Sequence, residues 1–223
     1  MKILALDTTG EFGSIALREN GSTITERHLH SKDGFAHVIF PEIERMLHEA
    51  GWRVQAIDCF AAASGPGSFT GVRVGLAAVK GLAEAAGKPV APVSNLRALA
   101  AFGTSERRAV ILDARRGEIY GAVYDASLHA VVPDTVMKLP AWLERLDGGE
   151  YEFIAFADAP FREAVKAGGF GEMKWTDAPR SLASAVALCA ELDARAGVLV
   201  SPLAADANYV RRSDAELFWK DGS

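Results

Sequence analysis

Two aspartates stand where chemistry could be done. Asp7 closes the apolar run KILALD, and Asp113 closes VILD. Facing each other across a cleft, two such carboxylates can hold a metal–nucleotide or serve as acid and base. Each also suits a plainer role, capping its own turn as strand-end Asp commonly does. The second chemical stretch is SGPGSFTGVRVG, from Ser64 to Gly75. Gly65 and Gly67 supply φ freedom around a fixed Pro66, and Ser68 and Thr70 are candidate caps of a following helix. Such a turn aims backbone donors and a positive helix end at whatever sits before it, often an anion. The competing reading is a tight strand–helix connection with no ligand. Asp7, Gly65, Gly67, Ser68 and Asp113 are thus the candidate residues of a nucleotide cleft.

Known phosphate and nucleophile loops do not fit this stretch. A Walker loop needs a second Gly five residues after its first, followed by Lys, and at that distance Gly65 is followed by Thr70 and Gly67 by Val72. The GxGxxG fingerprint breaks at Thr70, and the acid about 20 residues on would be Glu84, inside a helix. A nucleophile elbow needs Gly where Pro66 and Thr70 stand. Neither aspartate has the Gly two residues on that admits phosphate in the sugar-kinase, Hsp70 and actin group. Asp7 is followed by Thr8-Thr9, and Asp113 by Ala114-Arg115. The histidines offer no metal site, since no pair among His28, His30, His37, His48 and His129 has helical i, i+4 spacing. Ser68 could be a nucleophile, but nothing near it in sequence would activate it. No catalytic residue, metal or cofactor is expected.

These residues need elements to hold them. The first 30 residues read as three antiparallel strands, 2–7, 14–18 and 22–30, with Asn20-Gly21 as a hairpin turn. A helix over 35–50 carries the apolar stripe Phe35, Ile39, Ile43, Met46, Leu47 and Ala50. Pro41 either kinks it or sits in its first turn. A buried strand at 57–63, a helix at 70–86, a strand at 90–93 and a short helix at 95–102 follow. Helix 70–86 is apolar almost all round, and Gly71, Gly75, Ala78 and Gly81 permit close approach of another backbone. Such a helix needs partners on more than one side. The first helix or another subunit must supply what the sheet does not.

After Gly103–Glu106 the pattern restarts. VILDARRGEIYGAV lies against LALDTTGEFGSIAL at a constant offset that puts Asp113 opposite Asp7. A strand at 130–138, an amphipathic segment at 140–146, a strand at 151–157 and a closing helix at 183–194 repeat the order. This predicts an α/β fold made of a duplicated ribonuclease-H-like unit: two lobes with mixed sheets, residues 1–104 and 105–223, with the tail packed back on the first lobe. The second half has no counterpart of the glycine turn, as its last strand runs into Asp158-Ala159-Pro160.

With 223 residues and a net charge of −5, the chain suits a cored protein for which free-standing nucleic-acid binding is disfavoured. The pairs Arg107–Arg108, Arg115–Arg116 and Arg211–Arg212 could still make a local basic surface. Cys59 and Cys189 lie in apolar runs and read as inert buried thiols. The apolar start, Ile3 to Leu6, is too short for a signal peptide. A soluble, cytoplasmic protein is expected.

KILALDTTGEFGSIAL, SGPGSFTGVRVGLAAVKGLA, LDARRGEIYGAVY and the tail YVRR together resemble the TsaB (YeaZ) family. The similarity covers nearly the whole chain, with little signal in 125–180. The resemblance implies an ASKHA-type (actin-like ATPase) fold. It also implies a non-catalytic subunit in transfer of the threonylcarbamoyl group to N6 of adenosine 37 of ANN-decoding tRNAs. Its implied partners are a TsaD-type catalytic subunit, a TsaE-type ATPase docking on that pair, and tRNA through the complex. A homodimer in isolation is implied through helices 35–50 and 70–86. The expected contact residues are Ile39, Ile43, Leu47, Gly71, Arg73, Gly75, Ala77, Ala78 and Lys80. The HxxxH of the catalytic relative is missing, because His37 is followed at that distance by Pro41. Lys32 to Ala36 depart from the more basic, polar pattern of many relatives. A self-standing ATP-dependent phosphotransferase or a metallopeptidase-like enzyme is the alternative.

Overall fold

The computed structural model describes residues 1–31, 33–157 and 160–211. Lys32, the Asp158-Ala159 strand end and Arg212 of the tail lie outside the described residues.

Strands β1 (Lys2–Asp7), β2 (Phe12–Glu19), β3 (Ser22–His30), β4 (Cys59–Ala63) and β5 (Val90–Val93) form one sheet in the order β3-β2-β1-β4-β5. The meander β1–β2–β3 is antiparallel, turned at Asn20 and Gly21 with φ of 47° and 89°. Strands β4 and β5 add in parallel. Central β1 is buried from Ile3 to Asp7, since helices cover both faces of the sheet.

Helices α1 (Ile39–Glu49) and α2 (Phe69–Ala86) cover the outer face. The helix expected at 35–50 starts only at Ile39, which puts Pro41 in the first turn, where a missing N–H costs no helical bond. Ser68 caps α2, its side chain accepting from the Gly71 N–H at 3.3 Å. Gly87, at φ 63°, ends it, and the Lys88 N–H returns to the Ala83 carbonyl at 2.9 Å.

The second sheet repeats the first. Strands β6 (Arg107–Asp113), β7 (Glu118–Asp125), β8 (Ala130–Lys138), β9 (Glu152–Phe156) and β10 (Lys174–Ala178) run in the order β8-β7-β6-β9-β10. Helices α4 (Leu139–Leu143) and α5 (Arg162–Val165) lie on its outer face. The sequence reading had neither β10 nor α5. KWTDA is an edge strand with only Ala178 fully buried, so it lacks an apolar alternation. With β10 the duplication extends to all five strands.

Between the sheets lie α3 (Asn95–Ala100) and α6 (Ala183–Ala196), each closing its own half and packing on the other half's sheet. Helix α3 meets β6, β7 and β9, and α6 meets β1, β2 and β4. Both are rich in Ala, so two sheets can approach a shared layer of small buried side chains. The Arg97 guanidinium on α3 bonds both Asp193 oxygens on α6, at 2.7 and 2.9 Å. After α6 the chain returns to the first half. Val200 pairs with Val90, Ala205 is buried beside α2, and the Asn208 N–H donates to the Ser64 carbonyl at 2.7 Å.

Candidate functional site

The ends of β1 and β6 open on one cleft between the halves, a cavity of about 780 Å³. Asp7, Gly67, Ser68 and Asp113 all line it, as do Thr9, Asn95 and Arg180. Gly65 does not; it is buried behind Pro66 and lines a second cavity on the other side of the turn. The duplication thus brings together four of the five residues picked from the sequence.

Their roles differ. Asp7 is 2% exposed. One carboxylate oxygen accepts from the Thr9 N–H at 2.9 Å and from the Thr9 hydroxyl at 2.7 Å. Burial pushes its pKa up, and these hydrogen bonds pull against that. Asp113 is exposed and accepts from the Arg115 N–H at 2.8 Å, with the Arg115 guanidinium 3.5 Å away. Both therefore cap their turns.

The glycine turn is filled from within the chain. The Thr8 hydroxyl donates to the Gly71 carbonyl at 2.6 Å, and the Ser68 N–H to the Thr9 carbonyl at 2.7 Å. A Cβ on Gly67 would fall 2.7 Å from the Thr9 carbonyl, and one on Gly71 would fall 1.9 Å from the Thr8 carbonyl. One on Gly75 would fall 2.6 Å from the Thr8 hydroxyl. These glycines admit the turn after β1. Asn95, overlooked in the sequence, ties the parts together. Its side-chain oxygen accepts from the Gly65 N–H at 2.9 Å, its N–H donates to the Gly65 carbonyl at 2.8 Å, and its amide group donates to the Thr9 hydroxyl. An Asn opening a helix reads in sequence as an ordinary cap, so nothing in its position advertised this.

The contact residues expected on α1 and α2 divide between buried and exposed positions. Ile39, Ile43, Leu47 and Ala78 are buried against the first sheet of their own chain, and Gly71 and Gly75 against Thr8. Arg73 and Ala77 are exposed, and Lys80 is half-buried with its ammonium on the Ala205 carbonyl at 2.9 Å. Gly81, by contrast, has nothing near the place of a Cβ. The cysteines are buried and unpaired, and burial pushes both thiols up to about 12. Among the described residues no three His, Cys, Asp or Glu side chains gather to hold a metal ion, and no helix is long and apolar enough to cross a membrane.

Two duplicated mixed sheets around one cleft define the ASKHA class of α/β fold. The same architecture recurs in a ROK hexokinase from Thermus thermophilus at 15% identity and a TM-score of 0.55, a likeness of fold alone. A family model described as "TsaD: tRNA N6-adenosine threonylcarbamoyltransferase" matches residues 29–199. The protein named "tRNA threonylcarbamoyladenosine biosynthesis protein TsaB" in Bacillus subtilis is 36% identical over 151 residues, 66% of each chain. Its namesake in Haemophilus influenzae is 40% identical over 126 residues, 54% of this chain and 52% of its own. These matches span between about half and two thirds of the curated relatives' length. The crystal structure of YeaZ from Pseudomonas aeruginosa superposes with a TM-score of 0.75 at 27% identity, over 94% of this chain and all of that one. The chain belongs to this TsaD-related family and, within it, to the TsaB (YeaZ) group.

Proposed function

We propose that the chain is a non-catalytic partner subunit that binds and activates a TsaD-type catalytic subunit. The reaction it serves is threonylcarbamoyl transfer to N6 of adenosine 37 in ANN-decoding tRNAs. The observation that carries this reading is the state of Asp7. One carboxylate oxygen is committed to two Thr9 donors, and at 2% exposure the side chain offers little surface to a metal–nucleotide. The glycine turn beside it is occupied by Thr8 and Thr9. The names of the relatives supply the pathway.

In this reading the working parts are surfaces. The outer faces of α1 and α2 offer Phe40, 51% exposed, and the open row Ala77, Gly81 and Ala85. That row replaces the buried Gly71, Gly75 and Ala78 as the place where another helix comes close. It would serve the TsaD-type partner and, in isolation, a second copy. A TsaE-type ATPase would dock on the heterodimer, tRNA would be engaged in the complex, and the protein would work in the cytoplasm. A competing reading, that the chain carries out a transfer of its own, draws on the transferase name of the matching family model. Purified components decide between them. Modification of tRNA should require this chain together with its partner and be lost when either is omitted. Asp7→Asn should leave the rate within a few-fold. A drop of about a thousandfold, roughly 4 kcal/mol in barrier, would mean that the cleft does chemistry.

A further inference from the structure

On the far side of the glycine turn from the cleft is a second cavity of about 780 Å³. Residues far apart in sequence meet there. Arg73 comes from α2, Arg115 and Arg116 from the β6–β7 turn, and Arg211 from the tail. Two carboxylates accompany them. Glu118 pairs with Arg211, which also donates to the Ala114 carbonyl at 2.9 Å, and Asp113 lies 3.5 Å from Arg115. Among the described residues Arg73, Arg115 and Arg211 stand against Asp113 and Glu118, an excess of one positive charge in a chain of net charge −5. Arg73 is held by a ring and a hydroxyl instead of a carboxylate. Its guanidinium lies 3.7 Å from the Phe69 ring centroid, and its Nε donates to the Tyr209 hydroxyl at 3.2 Å.

The walls are aromatic. Phe69 and Tyr209 are 48% and 52% exposed with ring centroids 6.0 Å apart, and Tyr120 lies under Arg211 at 5.8 Å. Exposed rings braced by guanidiniums offer flat faces for a base and charges for a phosphate, the combination that holds unpaired nucleotides. The Arg115 side chain, 87% exposed, reaches into solvent from a residue at φ 63°. Pro66, Gly67, Arg115 and Tyr120 line both cavities, so a strand entering here runs beside the cleft.

We propose that the pocket walled by Arg73, Arg115, Arg211, Phe69, Tyr120 and Tyr209 binds a nucleotide of a single-stranded RNA segment, with phosphate on the guanidiniums and base on an aromatic face. This rests on the reading of the chain as a subunit serving tRNA and adds a direct RNA contact from it. The negative net charge keeps the affinity of the chain alone low, so the pocket acts as one contact among several in the complex.

The test measures binding of an ANN-anticodon tRNA transcript to the complex with the TsaD-type subunit over a range of salt concentrations. Arg115→Glu should weaken binding about tenfold and flatten the log–log salt slope by about one. Tyr209→Ala should weaken it roughly fivefold or more. Lys166→Glu, an exposed reversal beyond α5, should change nothing. Ultraviolet cross-links should map to Tyr120 or Tyr209. Unchanged affinity and slope in Arg115→Glu with the complex intact on a sizing column overturns the proposal. So does ATP binding that Arg115→Glu abolishes while tRNA binding persists, since the pocket would then serve a free nucleotide. If no complex with the TsaD-type subunit forms, the partner reading fails by itself. The pocket is then read on the isolated chain with an oligouridylate at low salt. Weaker binding by Arg115→Glu upholds the pocket, and equal binding ends it.

Discussion

Asp7 is buried and Asp113 stands in solvent, although each ends the first strand of its repeat and caps the turn that follows. The turn after β1 continues as Thr8-Thr9, and both threonines are drawn inward onto Gly71, Ser68 and Asn95. The turn after β6 continues as Ala114-Arg115-Arg116-Gly117, with three successive positive φ values of 63°, 56° and 76° and its arginines outward. A duplicated fold supplies two equivalent turns. Here one locks the glycine turn to the sheet, and the other builds a charged surface. The difference lies in what faces each turn. The first meets a glycine-notched helix, whereas the sequence after β9, Asp158-Ala159-Pro160, has no glycine.

The comparison breaks most visibly at the glycines. Gly71→Leu should unfold the protein or cost at least about 3 kcal/mol in urea denaturation, because its Cβ alone would stand 1.9 Å from the buried Thr8 carbonyl. Gly117→Ala meets nothing within 4 Å and should cost about 1 kcal/mol, for the left-handed backbone alone. Equal costs would mean that the two turns are equally free. The next effect is at Asn95. Asn95→Ala leaves the Gly65 N–H without its 2.9 Å acceptor and the Thr9 hydroxyl without a donor, both buried, and should cost about 2–4 kcal/mol by the same measurement. A loss below about 0.5 kcal/mol would show that water replaces the amide.

Much of this molecule was legible in its sequence, and the rest was hidden for identifiable reasons. The KILALD and VILD runs showed the repeat because central strands buried on both faces are continuously apolar. Gly71 and Gly75 announced a close approach, but a glycine does not say which backbone approaches. Here the chain's own Thr8 lies against both. On α1 the apolar stripe of Ile39, Ile43 and Leu47, expected at a contact with another molecule, packs on the first sheet. Phe40, pointing the other way, was passed over because a lone exposed ring leaves no periodic mark. The arginine pocket was legible only as pairs, since nothing in sequence brings Arg73 to Tyr209.

Titration tests the burial of Asp7. Burial raises the Asp7 pKa in the folded protein above the usual carboxylate range. A raised folded pKa means that stability is fully present below the unfolded pKa and is lost as pH rises through the folded one. Asp7→Asn removes this dependence while keeping an acceptor for Thr9. The stability of the variant relative to the parent should therefore rise from pH 4 to pH 7. Urea midpoints at each pH would measure it, and a relative stability that falls with pH would mean that the folded protein favours ionised Asp7.

The smallest expected effect probes the outward turn itself. Arg115 holds φ 63° with a side chain that is 87% exposed, so packing gives back little for the left-handed conformation. Glycine adopts that conformation freely but enters folding with more backbone entropy to lose. The two nearly cancel, and Arg115→Gly should change stability by no more than about 1 kcal/mol, on the stabilising side if the strain dominates. Asp113→Ala, which removes the 2.8 Å bond to the Arg115 N–H in solvent, should cost about 0.5–1 kcal/mol. Applied together, the two changes should fall short of additive, because without Asp113 the turn is free to relax and less strain remains for glycine to relieve. Full additivity would show that the carboxylate does not hold the arginine in its left-handed conformation. The outward presentation of the β6–β7 arginines would then belong to the Ala114–Gly117 backbone alone.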